Sequence, residues 1–479
     1  MTERVAGGGF RWWLHCVLLL LVVVGSAAAA EPAGHDWTQF GYDLEGSGAS
    51  TAPTGITAAN VASMTRLQVK LDGTVDASPI YLHGVTVKGS RHDVFFVTTS
   101  YGKTIAVDAE HGTILWEYTP PRYSSWAGSP QITNSTPVAD PNREFIYAAS
   151  PDGAVQKLAV SDGHAVWTTP ITRLPQREKI DSPLREFHGH IIAVTGGHFG
   201  DGPPYQGHVV ILDAASGRPL HVWNSLCSNR LEPLDPNSCP SKQSAIWGRA
   251  GAVIDEATGN IFVATGNGPY NGTTDWGDSV IELNPTATQI LGNYTPKNND
   301  WLYQDDLDLG STSPVLLGDG LLAQGGKDAK IRLLSIKQIA GVAAHKGQEL
   351  QTVSSPTGDM ILTAPVVWHH AGETWLIATD YGGAAAWTLK DGKLVEVWKN
   401  GTSGTSPVIA DGLLYIYNPR GSVGVYDPTT GKRIADLKCG RGHWNSPIVV
   451  DGRIALPEGS ANQRETSGVL DIWSLPAGH

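Results

Sequence analysis

Residues 405–437 read TSPVIADGLLYIYNPRGSVGVYDPTTGKRIADL. Four short runs, SPVIA, LLYIY, SVGVYD and KRIADL, are separated by DG, NPRG and PTTG. Alternating apolar residues over four to six positions make strands, and Gly, Pro, Asn and Asp supply the tight turns between them. The stretch therefore reads as a four-stranded antiparallel meander.

The same pattern recurs along the chain. Ser78-Pro79 opens one copy, with VFFVTTS, TIAVDAEHG and TILWEY behind it. Further copies open at Thr136-Pro137, Ser182-Pro183, Ser313-Pro314, Ala364-Pro365, Ser406-Pro407 and Ser446-Pro447, and one near Gly251 lacks the proline. Eight copies at irregular spacing, each a unit that cannot bury both faces alone, predict an eight-bladed β-propeller of four-stranded blades. Trp116, Trp167, Trp223 and Trp398 recur on the fourth strand, where an indole is expected to pack between blades. The last copy ends without a fourth strand, and RLQVKLDG (66–73) is a strand without a blade. Placing 66–73 on the outer edge of the last blade closes the ring with its own termini and removes an open edge. The lead-in HDWTQFGYDLEGSGAS is expected on the ring exterior.

Composition bounds the rest. Charged residues make up 17% of the chain and hydrophobic residues 41%, which suits a large core and argues against disorder. Arg4 and Arg11, the apolar run Trp12 to Val24 and the small residues before Glu31 have the form of a signal peptide over residues 1–30. The remainder, 31–479, is expected to be one propeller domain, exported to the periplasm or beyond, monomeric, and without a transmembrane segment. A formal charge of −12 without a basic stripe excludes a nucleic-acid binder. Cys227 and Cys239 flank a Pro/Asn-rich loop, so an exported chain is expected to join them as a disulfide.

The repeated SP…DG pattern, AVDAEHGTILW, LDAASG and the segment ITAANVASMTRL together resemble the quinoprotein alcohol dehydrogenase-like propellers. Members of that superfamily bind pyrroloquinoline quinone (PQQ) or have lost it, and the same repeat also builds non-catalytic scaffolds for outer-membrane protein assembly. The resemblance implies a site. It puts Trp247 of IWGRAG at the position of the floor under the quinone, and Asn267 of ATGN at a calcium-ligand position. Asp306 and Asp308 of YQDDLDLGSTSP fall close to the position of the catalytic base, one residue off in spacing, and within reach of the metal. Other expected parts have no counterpart: the adjacent cysteine pair is absent around Asn134-Ser135-Thr136, the arginine that follows it is missing, and in place of the calcium-binding glutamate FGDGPPYQG offers only Asp201. Two functions follow as expectations: a PQQ- and calcium-dependent dehydrogenase of an alcohol or sugar, or a propeller that binds a small molecule or a protein without catalysis.

Other chemistry finds little support. GNGPYNG lacks the spacing and the βαβ setting of a dinucleotide fingerprint, DDLDLG fails the calcium-loop pattern after its second acid, and no G-x-S-x-G, H-E-x-x-H or C-x-x-C-H occurs. His188 and His190 read as same-face residues of one strand that could join His198 or His208 on a metal, with solvated or turn-packed histidines as the simpler alternative.

Overall fold

The computed structural model describes residues 34–198 and 202–476. Its strands form eight four-stranded sheets, the eight blades of the propeller. Blades 1 to 7 span 80–118, 138–170, 185–224, 253–294, 315–354, 366–400 and 408–438, each a consecutive antiparallel meander. A separate two-stranded pairing joins Glu178–Lys179 to Gly196–Gly197. The expected signal peptide and Asp201 lie outside the described residues. Among the described residues no helix is long and apolar enough to cross a membrane.

Blade 8 is built from both ends of the chain. Three strands come from 448–474, and Thr65–Leu71 pairs antiparallel with Gly468–Ser474 as the fourth, outermost strand. The pairing ends at Leu71, so the closing strand is slightly shorter than 66–73. Val69 and Leu71 from this strand are buried with Ile454, Leu470 and Ile472.

The tryptophans explain the glycines of the repeat. Trp116 Nε1 donates to the Val160 carbonyl of the next blade at 2.8 Å, and Trp398 Nε1 donates to that of Pro428 at 2.8 Å. A Cβ on Gly163 or Gly431 would lie 2.5 Å from the corresponding indole, and both glycines have positive φ. Glycine is thus required twice at these turns, for its backbone and for the ring that covers it.

The lead-in is not on the exterior. Trp37 exchanges backbone hydrogen bonds with Tyr81 of blade 1, Ser47 accepts from the Val367 amide of blade 6, and Ser50 donates to the Ile409 carbonyl of blade 7. These are residues of the innermost strands, so the segment plugs the axial channel. Its anchor is Arg185, fully buried, whose guanidinium donates to the carbonyls of Phe40 at 2.6 Å, Asp43 at 3.1 Å and Ala250 at 2.9 Å. An arginine offers five donors in a fixed fork, and here four backbone carbonyls and the Gln39 side-chain oxygen accept from it.

Candidate ligand site at one end of the ring

In an antiparallel meander the start of strand one, the end of strand two and the end of strand four share one end of the blade. Trp247 precedes the first strand of blade 4, Asn267 follows its second, Asp306 and Asp308 follow its fourth, and Lys327 follows the second strand of blade 5. Topology alone therefore puts all five on one end of the ring, and the side chains converge. The Asn267 amide N–H donates to Asp308 Oδ1 at 2.5 Å, and Asn267 Nδ2 donates to Asp306 Oδ1 at 2.5 Å. Lys327 Nζ lies 3.1 Å from Asp306 Oδ1 and 2.5 Å from Asp308 Oδ2.

The two aspartates differ in exposure. The Asp308 side chain is fully buried, whereas that of Asp306 is 71% exposed. Burial, opposed by Lys327 and the Asn267 amide, leaves the Asp308 carboxyl above its ordinary range. Burial also works against the Lys327 charge, but Asp308 and Asp306 outweigh it and hold the ammonium above its ordinary pKa. Behind Asp308 stands Asp278, in a left-handed backbone conformation, whose Oδ1 accepts the Leu309 amide at 3.0 Å. Burial, then the neighbouring Asp308, pushes its carboxyl well above the usual range. Asn267 Oδ1 is buried and has no hydrogen-bond partner among the described residues.

Trp247 is wedged between two glycines. A Cβ on Gly266 would sit 3.3 Å from its Nε1 and 2.5 Å from Asp308 Oδ1, and one on Gly196 would sit 3.1 Å from its Cε3. Gly196 pairs with Lys179 across the short two-stranded sheet. Lys179 Nζ lies 3.0 Å from Asp181 Oδ1, and Arg249 Nη2 lies 3.5 Å from Asp181 Oδ2. The Arg249 guanidinium in turn covers the Trp444 ring at 5.3 Å. His198 Nε2 is 3.2 Å from the Pro175 carbonyl. Burial, reinforced by the Lys179 charge, lowers its pKa to about 4, so at neutral pH it is an uncharged imidazole that donates this bond.

The four residues that the resemblance singled out, Trp247, Asn267, Asp306 and Asp308, thus lie together. Asn134, where the cysteine pair would stand, donates to Asp76 Oδ2 at 3.0 Å, and Asp76 also accepts from His443 and the Trp444 amide. Cys227 and Cys239 are joined as a disulfide. Their donor atoms and those of Asp275 cluster within 4.8 Å, a partly buried set of metal-ligand type. The sulfurs are bonded to each other, however, and the Asp275 carboxylate accepts from the Cys227 amide and from Ser241, so the disulfide form offers a metal no thiolate.

The histidine reading needs correction. His188 and Gly189 form a left-handed turn and Phe187 pairs with His190, so His188 is not a same-face partner of His190 on one strand. His208 is buried elsewhere, its Nε2 at 3.1 Å from Glu178 and its Nδ1 at 2.6 Å from Asn224. Sequence reasoning missed Lys327, Asp278 and the Lys179–Asp181–Arg249 cluster. Only Lys327 had a signal: AQGGK ends the second strand of blade 5 much as ATGN ends that of blade 4.

With the geometry in view, the chain can be compared with known proteins. Residues 51–228 match the family described as outer membrane protein assembly factor BamB. The quinohemoprotein alcohol dehydrogenase ADH IIB of Pseudomonas putida is 25% identical over 346 residues, 64% of this chain but only 45% of that enzyme, so the chain spans less than half the length of this relative. Among solved structures, the quinohemoprotein alcohol dehydrogenase of Comamonas testosteroni superposes with a TM-score of 0.68 at 16% identity, over 92% of this chain and 80% of that one. BamB of Moraxella catarrhalis superposes with a TM-score of 0.54 at 13% identity, over 87% of this chain and 99% of that one. The chain has the eight-bladed propeller fold of the quinoprotein alcohol dehydrogenases and BamB.

Trp247 is half-buried at this end of the ring, close to Gly196 and Gly266, and cations are present nearby at Lys179, Arg249 and Lys327, a combination that fits a flat organic anion such as PQQ. For calcium, a hard cation that takes oxygen ligands, the site offers the orphaned Asn267 Oδ1 and the outer oxygen of Asp306. Lys327 already sits on both carboxylates, so a divalent cation shares them with an ammonium.

Proposed function

We propose that the chain is an exported oxidoreductase that takes PQQ over Trp247 and a calcium ion against Asn267, and oxidises the hydroxyl of an alcohol or sugar. The observation that carries this reading is the convergence of Trp247, Asn267, Asp306 and Asp308 at one end of the ring from three separate loops. When bound, the quinone supplies a two-electron acceptor and the cation polarises it.

The chain's own residues supply positioning and a proton acceptor. Asp306 is the base: its Oδ1 is fixed by Asn267 Nδ2 and Lys327, and its side chain reaches solvent, so its second oxygen is available to a substrate hydroxyl. Asp308 is a positioning residue. Both of its oxygens are engaged inside the protein, where they hold the Asn267 backbone and the Lys327 ammonium. Lys327 holds an ammonium 3.1 Å from Asp306 Oδ1.

The test is the absorbance of PQQ mixed with the exported protein, with and without calcium, followed by dye reduction with a panel of alcohols and sugars. Asp306→Ala is expected to abolish dye reduction and leave the melting temperature within a few degrees. Absence of PQQ binding removes the proposal. The second reading, a non-catalytic propeller that binds a protein or small molecule, is favoured by one observation: Asn134 and Asp76 form a closed polar tie where the enzymes carry a cysteine pair.

A further inference from the structure

Beside Trp247 lies a cation cluster in which, among the described residues, two cations share one carboxylate. The Lys179 and Arg249 side chains are 7% and 9% exposed, and both lean on a single carboxylate, Asp181, itself 12% exposed. Among the described residues, the other ionisable groups nearby do not balance it. His198 is neutral at physiological pH, and Arg177, whose carbonyl accepts the His198 amide, adds positive charge. Glu178 is turned away and spent: it accepts from Thr172, from the Gln206 amide and from His208. Asp76 is fully committed to Asn134, His443 and two backbone amides.

Two cations on one buried anion leave about one uncompensated positive charge out of water, an arrangement that proteins keep where something else supplies the counter-charge. The cluster is also aimed. Lys179 is the register partner of Gly196, on which Trp247 rests, and Arg249 follows Trp247 by two residues with its guanidinium carbon 5.3 Å from the Trp444 ring centroid. A guanidinium presents a planar fork matched to a carboxylate, and an ammonium adds a point charge beside it.

We propose that Lys179 and Arg249 form a carboxylate-binding site for a planar organic polyanion whose ring lies on Trp247. The inference rests on the reading of this end of the ring as a PQQ site and adds to it: these two residues take over the counter-charge for which the sequence has no arginine after Asn134-Ser135-Thr136. It needs neither calcium nor turnover to hold.

The experiment titrates the full chain with PQQ, with PQQ trimethyl ester and with 1,3,5-benzenetricarboxylate, following heat or tryptophan quenching at two salt concentrations without calcium. PQQ and benzenetricarboxylate are expected to bind, and the uncharged ester about tenfold or more weakly, the loss expected when charge-assisted hydrogen bonds go. The Lys179→Gln/Arg249→Gln double variant is expected to lose a similar factor for both acids and to flatten the salt dependence. Asp181→Asn, which removes the internal counter-charge, is expected to tighten both. Equal affinity for PQQ and its ester on the unaltered protein overturns the inference without recourse to any variant. So does wild-type affinity in a folded double variant, even if PQQ-dependent dye reduction persists and the dehydrogenase reading survives. Binding of the two acids without any dye reduction leaves this site standing and removes the dehydrogenase reading instead.

Discussion

The ring buries a carboxyl group at two distant places and answers it in two ways. At the candidate site, Asp308 has no exposed side-chain surface and meets the Lys327 ammonium at 2.5 Å. At the closure seam, Asp471 is equally buried but its hydrogen-bonded neighbour is a second carboxyl, Glu458, with Gln68 at 3.0 Å and Arg66 no closer than 3.6 Å. Burial, then the Glu458 contact, pushes the Asp471 pKa up to about 8. Burial alone thus does not fix the state of a carboxyl; the partner does. An ammonium in contact favours the ionised carboxylate, whereas a second carboxyl in contact favours the protonated form.

Removing the closing strand is expected to have the largest effect. Deleting residues 66–73 takes away nearly all of the seven paired positions on Gly468–Ser474 and the buried Val69 and Leu71, and strips Asp471 of Gln68 and Arg66. Aggregation on gel filtration, or a large fall in melting temperature, is the expected result, since an unpaired edge and an open core are both exposed. Unchanged stability would show that the seam does not close the ring.

At the site the equivalent cut is Lys327→Met. It leaves Asp308 buried without its cation, and loss of one partner from a buried ion pair typically costs about 3–5 kcal/mol. Urea unfolding at pH 7 measures it. Adding Asp308→Asn is expected to restore most of the loss, because the stranded charge is then gone; a loss under about 1 kcal/mol in the single variant would mean the pair is far better solvated than its burial indicates. A smaller effect is expected at the disulfide. Cys227→Ser with Cys239→Ser opens a loop of sequence separation 12, worth about 3 kcal/mol on a chain-entropy argument. A non-reduced peptide map showing two free thiols in the unaltered protein would contradict the bond itself.

The two regions also differ in how far the sequence revealed them. The seam was legible because blades are local: alternation and turn residues mark each strand, and a last blade one strand short demands 66–73. Trp247, Asn267, Asp306 and Asp308 were legible only through resemblance, since single residues in inter-strand loops carry no periodic signal. Lys179, Asp181 and Arg249 had no signal at all, because their charges meet only after blades 3 and 4 are assembled. The plug was misplaced for a related reason: Trp37, Ser47 and Ser50 bond to strands far along the chain, and no local pattern records that. His188 was misread because alternation was counted through a two-residue turn, where left-handed His188 and Gly189 break the strand.

The sharpest effect on the comparison is expected from Asp471→Asn. In the folded chain Asp471 titrates at about 8, against about 3.9 for an unfolded aspartate. Between those values the folded state holds a proton that the unfolded state has lost. The unfolded state therefore binds fewer protons, and the contribution of this group to stability falls as pH rises from about 4 to about 8, then levels off. The slope cannot exceed about 1.4 kcal/mol per pH unit for one proton. Asparagine donates from its amide at every pH, so Asp471→Asn is expected to match the unaltered protein near pH 5 and to become relatively more stable toward pH 8.5, with a flatter profile. Asp308→Asn is expected not to reproduce this gain, because it removes the anion that Lys327 needs. Melting temperatures of the three proteins across pH 5 to 9 decide the matter: parallel profiles for Asp471→Asn and the unaltered chain would mean that the seam carries an ordinary ionised aspartate, and that the contrast with Asp308 is one of position and not of protonation.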